Sequence, residues 1–321
     1  MAAQTDWVLE NRRLRGRARL WRVLALLIAA VAIAALAWRG IVGGLGGREA
    51  PHIARVALDG LIVPNQARHK LLQEIGKSSA VKGVIVTIDS PGGGVTASEE
   101  IYDDLRALSA KKPVVALMGS LAASGGYLAA LGADHIVARR TSLTGSIGVL
   151  VEYPNFTKLL DTVGVSVEAI KSAPLKAEPS GVRPTSPEAR AAMQAIVMDS
   201  FDWFKGLVGR RRGISGAVLD HVTDGRVFTG GQALQLHLID AVGNEDQARD
   251  WLATRGVPKS LPVLDWKISK SFFARLPLGR ALAADVLDAF GLSTLAAELR
   301  AAGGTLGDLQ SLDGLLAVWH P

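Results

Sequence analysis

The sequence predicts an α/β protein: a parallel β-sheet with flanking helices, preceded by one N-terminal helix that spans a membrane. Three observations carry this. From residue 52 onward, short apolar, β-branched runs alternate with stretches of helical spacing, the pattern of a parallel sheet covered on both faces. Aromatic residues are scarce at 5%, which suits packed helices and buried strands better than an aromatic-rich sandwich. The segment LWRVLALLIAAVAIAALAW, residues 20–38, carries no charge from Val23 to Trp38.

The N-terminal elements explain most of the charge. Residues 1–22 hold Arg12, Arg13, Arg15, Arg17, Arg19 and Arg22 against Asp6 and Glu10, so most of the chain's net +6 sits there. A basic run can be a solvated tail or an arm for nucleic acid, but its apolar neighbour points to membrane topology. As a helix, residues 20–38 would reach roughly 28 Å, at about 1.5 Å per residue, close to the hydrocarbon thickness of a bilayer. Trp21 and Trp38 stand at its two ends, where amphipathic rings favour the interface, and Arg22 can snorkel. The positive-inside rule puts residues 1–19 in the cytoplasm and the bulk of the chain on the outer side. The rival is a cleaved signal peptide; the run is longer than a usual signal core, and Trp38-Arg39 offers no clear small-x-small site. Residues 39–51, with the Gly-rich IVGGLGG, form a flexible spacer. There is no cysteine, so disulfides, thiol nucleophiles and thiolate metal sites are excluded.

The folded part follows in order. HIARVALDG (52–60) is expected as a strand, residues 66–79 as a helix facing inward with Leu71, Leu72 and Ile75, and GVIVTIDS (83–90) as a β-branched strand. Residues 95–110 form a helix on Ile101, Leu105 and Leu108. PVVALMG (113–119) is the next strand, residues 124–132 a helix, and DHIVAR (134–139) a short strand. Ser186-Pro187 starts a long helix to about Arg211, with Met193, Ile196, Val197 and Phe204 on its expected inner face. Residues 225–256 read as strand, helix, turn and helix. The tail from Ser271 is Ala/Leu-rich, amphipathic and without catalytic residue types, an expected packing or oligomer-contact arm.

Two stretches carry chemistry. IDSPGGGV (88–95) follows a buried strand and precedes a helix, where open α/β sheets place their sites. Its glycines let the backbone approach a ligand closely, either as a tight turn or as N–H donors for an oxyanion. It has neither G-x-G-x-x-G nor Gly-Lys-Ser/Thr, so a nucleotide loop is disfavoured. In LMGSLAASGGYLAALGA (117–133) an apolar strand ends on Ser124, and Gly125 and Gly126 follow at once. An N-cap is the ordinary use of such a serine. The functional use is a nucleophile on a sharp strand–helix turn, with the Gly125 N–H beside a developing oxyanion. A serine needs a base. The six histidines sit in no recognisable motif and read as surface or core-edge residues. Lys171 and Lys176, flanking SAPL in residues 167–180, are the lysine candidates, although a lone lysine is usually a solvated charge.

In order along the chain, IDSPGGG, AASGGYLAALGAD, TSLTGSIGVL, KSAPLKAEPS and GRVFTGGQAL with LIDAVG resemble the signal peptide peptidase A family, the S49 serine peptidases. The resemblance runs from about residue 53 to 250. It implies a Clp-protease/crotonase-like fold and a Ser–Lys dyad, with Ser124 as nucleophile, Lys176 as general base and Ser146 as the residue that orients the lysine. Gly93 and Gly125 would be the oxyanion donors, with Gly92 as the close alternative. The lysine stretch lacks the family's usual aromatic before it and aspartate after it, which keeps Lys171 in view. A single copy of the domain, residues 52–256 followed by an extension at 257–321, matches the short form, in which a neighbour in a homo-oligomeric ring completes each site. The resemblance implies apolar, signal-peptide-like substrates at the membrane and no metal, ATP or organic cofactor. The alternatives are a crotonase-like acyl-CoA enzyme and a non-catalytic membrane scaffold.

Overall fold

The first strand, β1 (His52–Asp59), runs parallel to β2 (Val81–Ser90), pairing Ala54 with Val84 and Val56 with Val86. Between them lies helix α1 (Gln66–Lys77), whose Asn65 side chain accepts the Arg68 N–H and so satisfies one open donor of the first turn. These elements belong to a computed structural model that describes residues 48–268 and 316–318. The expected membrane segment at 20–38 lies outside the described residues; among those described, no helix is long and apolar enough to cross a membrane.

The chain then forms β3 (Gly92–Gly94), α2 (Val95–Ser109), β4 (Val114–Ala123), α3 (Gly125–Ala130), β5 (His135–Ala138) and β6 (Leu143–Gly145). After an exposed stretch that includes α4 (Thr157–Thr162) come α5 (Pro187–Arg212), α6 (Gly216–Val222), β7 (Val227–Thr229), α7 (Gly230–Gln235), β8 (Ala241–Val242), α8 (Glu245–Thr254) and β9 (Val263–Asp265). A last strand, β10 (Leu316–Val318), lies near the C-terminus. The main sheet has eight strands. Its path runs β7-β6-β4-β2-β1-β9, and β5 links β4 to β8. All pairings in it are parallel except β6 with β7. The sheet therefore runs past residue 256, since β9 pairs with β1. This is the expected α/β architecture.

The continuous apolar strands are explained by two cores. Side chains alternate across a strand. Ala54, Val56, Val84, Val86, Ile88, Ala116 and Met118 face one core, with Leu72 and Ile75 from α1 and Ile101 and Leu105 from α2. Ile53, Ile85, Val115 and Val137 face the other, against Ala248 and Leu252 of α8. Each fully buried Ile or Leu contributes about 1.5–3 kcal/mol. The long helix α5 departs from expectation. Its Ser186 cap and Pro187 start are as read, but only Ala189, Phe204, Leu207 and Val208 are buried, while Ile196 is exposed. The first half of α5 faces a cleft instead of the core. His52 is fully buried, not a core-edge residue, and its Nε2 accepts from the Trp266 indole N–H at 3.0 Å.

β4 forks. Val115–Met118 pair with β5, and Leu121–Ala123 pair with β6. At the fork the Asp89 carboxylate accepts the N–H groups of Ser120 and Leu121, both at 3.2 Å. The IDSPGGGV turn is not a bare loop: its glycines form β3. A Cβ on Gly93 would lie 2.0 Å from the Ile62 carbonyl oxygen, so only glycine fits. Gly93→Ala is expected to destabilise the fold by roughly 1–3 kcal/mol. Gly76→Ala, whose added methyl meets only ordinary contacts, should gain up to about 1 kcal/mol of helix propensity. Thermal unfolding of the two variants tests this, and an unaltered Gly93→Ala melting temperature would refute the close approach.

Candidate active site

Ser124 closes β4 and precedes α3 with no intervening residue. Its backbone sits at φ 53° and ψ −116°, and its side chain makes no capping hydrogen bond. The ordinary explanation for a serine at a helix start is therefore absent. A non-glycine residue held there costs on the order of 1–3 kcal/mol. The conformation is fixed from both sides: the Ser124 N–H donates to the Gly145 carbonyl at 2.8 Å, and the Ser124 carbonyl accepts from Leu128 at 2.9 Å. Gly125 opens α3 directly after it. Gly126 is required because a Cβ there would meet the Ser90 carbonyl at 2.8 Å. Beneath the turn, Tyr127 is fully buried and donates to the Leu238 carbonyl at 2.9 Å; burial pushes its phenol well above the usual range.

Ser146 follows β6 in a second strained turn, at φ 49°. Its N–H donates to the Arg226 carbonyl at 2.7 Å. Ser124 and Ser146 line one cavity of about 410 Å³. The walls are mainly apolar, from Ile147, Val149 and Leu150 after β6 and from Val197, Met198 and Phe201 on α5. Thr223, Asp224 and Gly225 complete it. The half of α5 that leaves the core is thus the half that borders the cavity. Helical spacing identified that face as apolar, but spacing alone does not separate a core face from a cavity face. Thr223 and Asp224 carried no signal of their own in the sequence.

β3 lies beside this turn. Ile62 donates its N–H to the Gly92 carbonyl at 2.8 Å and accepts the Gly94 N–H at 3.0 Å. In a strand this alternation turns the N–H and carbonyl of Gly93 to the opposite edge. The Gly92 N–H is held by Ser90 Oγ at 3.0 Å, a partner that sequence reading did not single out. Among the described residues, no cluster of His, Asp and Glu is arranged to hold a metal ion.

The lysines stand apart. Lys176 sits in an exposed turn, its N–H donating to Ala173 at 3.1 Å, and it is not among the residues that line the cavity with Ser124 and Ser146. Lys171 pairs with the Glu178 carboxylate, which also accepts from Arg183 at 3.1 Å and from the Ser180 N–H at 3.1 Å. The hydrogen bond from Lys171, followed by that from Arg183, holds the Glu178 carboxyl below its ordinary range. Nearby, Phe156, Leu159, Val163, Val165 and Ile170 are exposed.

Known proteins share this chain's sequence across the region just described. The model of peptidase family S49 matches residues 106–257. A putative protease of Synechocystis is 42% identical over 204 residues, 63% of this chain and 73% of the relative. The chain belongs to peptidase family S49. By that membership it is a serine peptidase. A putative signal peptide peptidase SppA of Enterococcus faecium is 33% identical, over 66% of this chain and 62% of its own. Protease 4 of Haemophilus influenzae is 31% identical, over 61% of this S49 chain and 33% of its own length. Among solved structures, the membrane-bound stomatin-specific protease 1510-N aligns with TM-score 0.46 at 16% identity, over 68% of this chain and 99% of that one. A ClpP1 variant from Listeria monocytogenes aligns with TM-score 0.41 at 16% identity, over 62% and 94%. The family assignment rests on the sequence relatives.

Two outcomes are expected. Ser124→Gly should unfold at a higher temperature than Ser124→Ala, by up to about 1 kcal/mol in stability, because both lack the hydroxyl and only glycine relieves the positive φ. The reverse order would show that the turn is unstrained. A carboxyl whose folded pKa is lowered stabilises the fold above its ordinary range, and that contribution disappears as the pH falls through the lowered value. Proteolysis of the 171–183 segment should therefore accelerate on acidification in the wild type. Glu178→Gln should be cut readily at neutral pH and respond less to acid; equal resistance of the two at neutral pH would remove the Glu178 clamp.

Proposed function

We propose that this S49 peptidase is a membrane-anchored endopeptidase that cleaves apolar peptides, such as released signal peptides, with a Ser–Lys dyad. The observation that carries the reading is the unneeded strain at Ser124: a buried serine, caught at positive φ without a capping bond, opening onto an apolar cavity. In this reading Ser124 Oγ attacks the scissile carbonyl while a neutral lysine takes its proton. The lysine returns that proton to the leaving amine, and a water it then activates hydrolyses the acyl-enzyme. The Gly93 and Gly125 N–H groups hold the oxyanion. Gly92 is a weaker candidate because Ser90 occupies its N–H. Losing one such donor typically costs about 2.7–4 kcal/mol of barrier.

Lys176 is the proposed base, and Ser146 its orienting partner. Lys171 is held by the Glu178 carboxylate, which leaves it committed to a partner away from Ser124. Because Lys176 is exposed and lies off the cavity of its own chain, the reading requires a second copy to supply it, in a homo-oligomeric ring. The exposed apolar side chains of residues 156–170 give that copy a surface to cover. The N-terminal segment 20–38 would hold the chain in the plasma membrane as a single pass, N-terminus in the cytoplasm and catalytic domain on the outer side. No nucleic acid partner enters the reading.

Hydrolysis of a fluorogenic apolar peptide by the detergent-solubilised protein tests this. Ser124→Ala and Lys176→Ala should each lower kcat by at least about a thousandfold, while Lys171→Ala retains most of it. If the lysine acts between copies, co-folding the two inactive variants in equal amounts should restore about a quarter of the sites. Full activity of Ser124→Ala would end the assignment. A mixture that stays inactive, with ring assembly intact, would place the base on the same chain as the serine.

A further inference from the structure

A second cavity, of about 220 Å³, opens where β4 forks, on the face of the sheet that α8 covers. The carboxyl ends of parallel strands are where open α/β sheets hold their ligands. Asp59 stands opposite Asp89 on adjacent strands. Asp89 lies beside the irregular stretch of β4 at Gly119–Leu121, and Arg139 follows β5 one step past the pairing of Met118 with Ala138. Carboxylate, carboxylate, bare backbone and guanidinium thus form a row across four strands, and all four residues line the cavity. Gly119 is the gap in the row: a Cβ there would lie 2.6 Å from Asp89 Oδ2. Thr87 and Leu117, two residues back on the same face, form the floor, and Asn244 closes the far side. Like charges on neighbouring strands repel. Among the described residues, no ion pair relieves Asp59, Asp89 or Arg139.

We propose that this cavity binds a free α-amino acid with an apolar side chain, its ammonium between Asp59 and Asp89 and its carboxylate on Arg139. A metal ion would suit the two carboxylates but repel Arg139. A simple anion would suit Arg139 but meet both carboxylates. A molecule that carries both charges satisfies the whole row. Asp89 uses two of its roughly four lone-pair directions on the Ser120 and Leu121 N–H groups, which leaves it free to accept an ammonium as well. The Asn244 carboxamide oxygen is taken by the Asp246 N–H at 2.7 Å, so its NH2 group remains to donate to the ligand's carboxylate. Neighbouring strands lie about 4.8 Å apart, so Asp89 and Arg139 start about 10 Å apart and their side chains span most of it. The cavity has the room of about seven waters at about 30 Å³ each, enough for one amino acid and too little for a peptide chain. Leu117 and the Thr87 methyl meet the ligand's side chain. The site lies apart from the Ser124 cavity and does not depend on which lysine serves as base.

Thermal unfolding of the full-length, detergent-solubilised protein tests this with leucine as the probe, and needs no turnover. Leucine should raise the unfolding midpoint of the wild type saturably, as a ligand of the folded state must. Leucinamide, which lacks the carboxylate, and N-acetylleucine, which lacks the ammonium, should each bind at least about tenfold more weakly. Asp59→Asn and Arg139→Gln should each weaken leucine by a similar factor. Asp59→Asn should leave the leucine-free midpoint unchanged or raise it, because it relieves a like-charge pair. Hydrogen exchange then locates the ligand: the amides of Ser120 and Leu121, held by Asp89, should exchange more slowly with leucine in the wild type and in neither variant. No saturable response of the wild type up to about 50 mM leucine overturns the proposal. So does a response that N-acetylleucine and both variants share, which would be a bulk effect of the solute. Stabilisation by calcium ions with none by leucine would assign the two carboxylates to a metal and refute the amino-acid site.

Discussion

The hydrogen bond from the Ser124 N–H to the Gly145 carbonyl joins the two turns on which the site depends. It can form only because β4 changes partners midway, leaving β5 and taking up β6. The Asp89 carboxylate covers the change by accepting two N–H groups that point away from either strand. With β6 in place, its continuation at Ser146 comes to the same cavity as the end of β4. A simple doubly wound sheet has no such fork and would carry the residues after β4 away from those after β6. The strain at Ser124 and Ser146 is held by this ladder, not by the side chains themselves.

Much of the sheet was legible because it obeys simple periodicities. β1, β2, β4 and β5 are continuous apolar runs, and their two-sided burial requires that. α1 and α2 show their inner faces at helical spacing, and Ser186-Pro187 marked the start of α5 correctly. The failures have equally physical causes. β3 consists of glycine alone, so no side-chain alternation announces a strand. β10 is three residues long and draws its pairing from a partner more than two hundred positions away. Met193, Ile196 and Val197 form a genuine apolar stripe, but Ile196 is exposed and Val197 lines a cavity. His52 gave no sign of burial because its partner, Trp266, lies 214 residues downstream.

The site divides along the same line. The turns around Ser124 and Ser146 are local features, and local sequence marks them: a serine at the end of an apolar strand, then two glycines; a serine between TG and IG. The fold brings both to one cavity. Lys176 is not among the residues that line that cavity. Its segment has little regular structure, and sequence spacing along an irregular exposed chain carries no distance information. The Glu178 cluster shows why reading charge alone left two lysines in play: one is neutralised by a carboxylate seven residues on, and only the fold reveals which.

β3, three glycines beside the Ser124 turn, presents an edge made of backbone alone. Backbone pairing demands a stretch of chain whose own N–H and carbonyl groups are unspent. Helices and sheet interiors have none to offer, whatever their composition, because their hydrogen bonds are already made. What separates a victim from a bystander at such an edge is therefore conformational freedom before it is sequence. A folded chain is spared by its own stability, and offers a segment to such an edge only during the brief openings in which it comes loose.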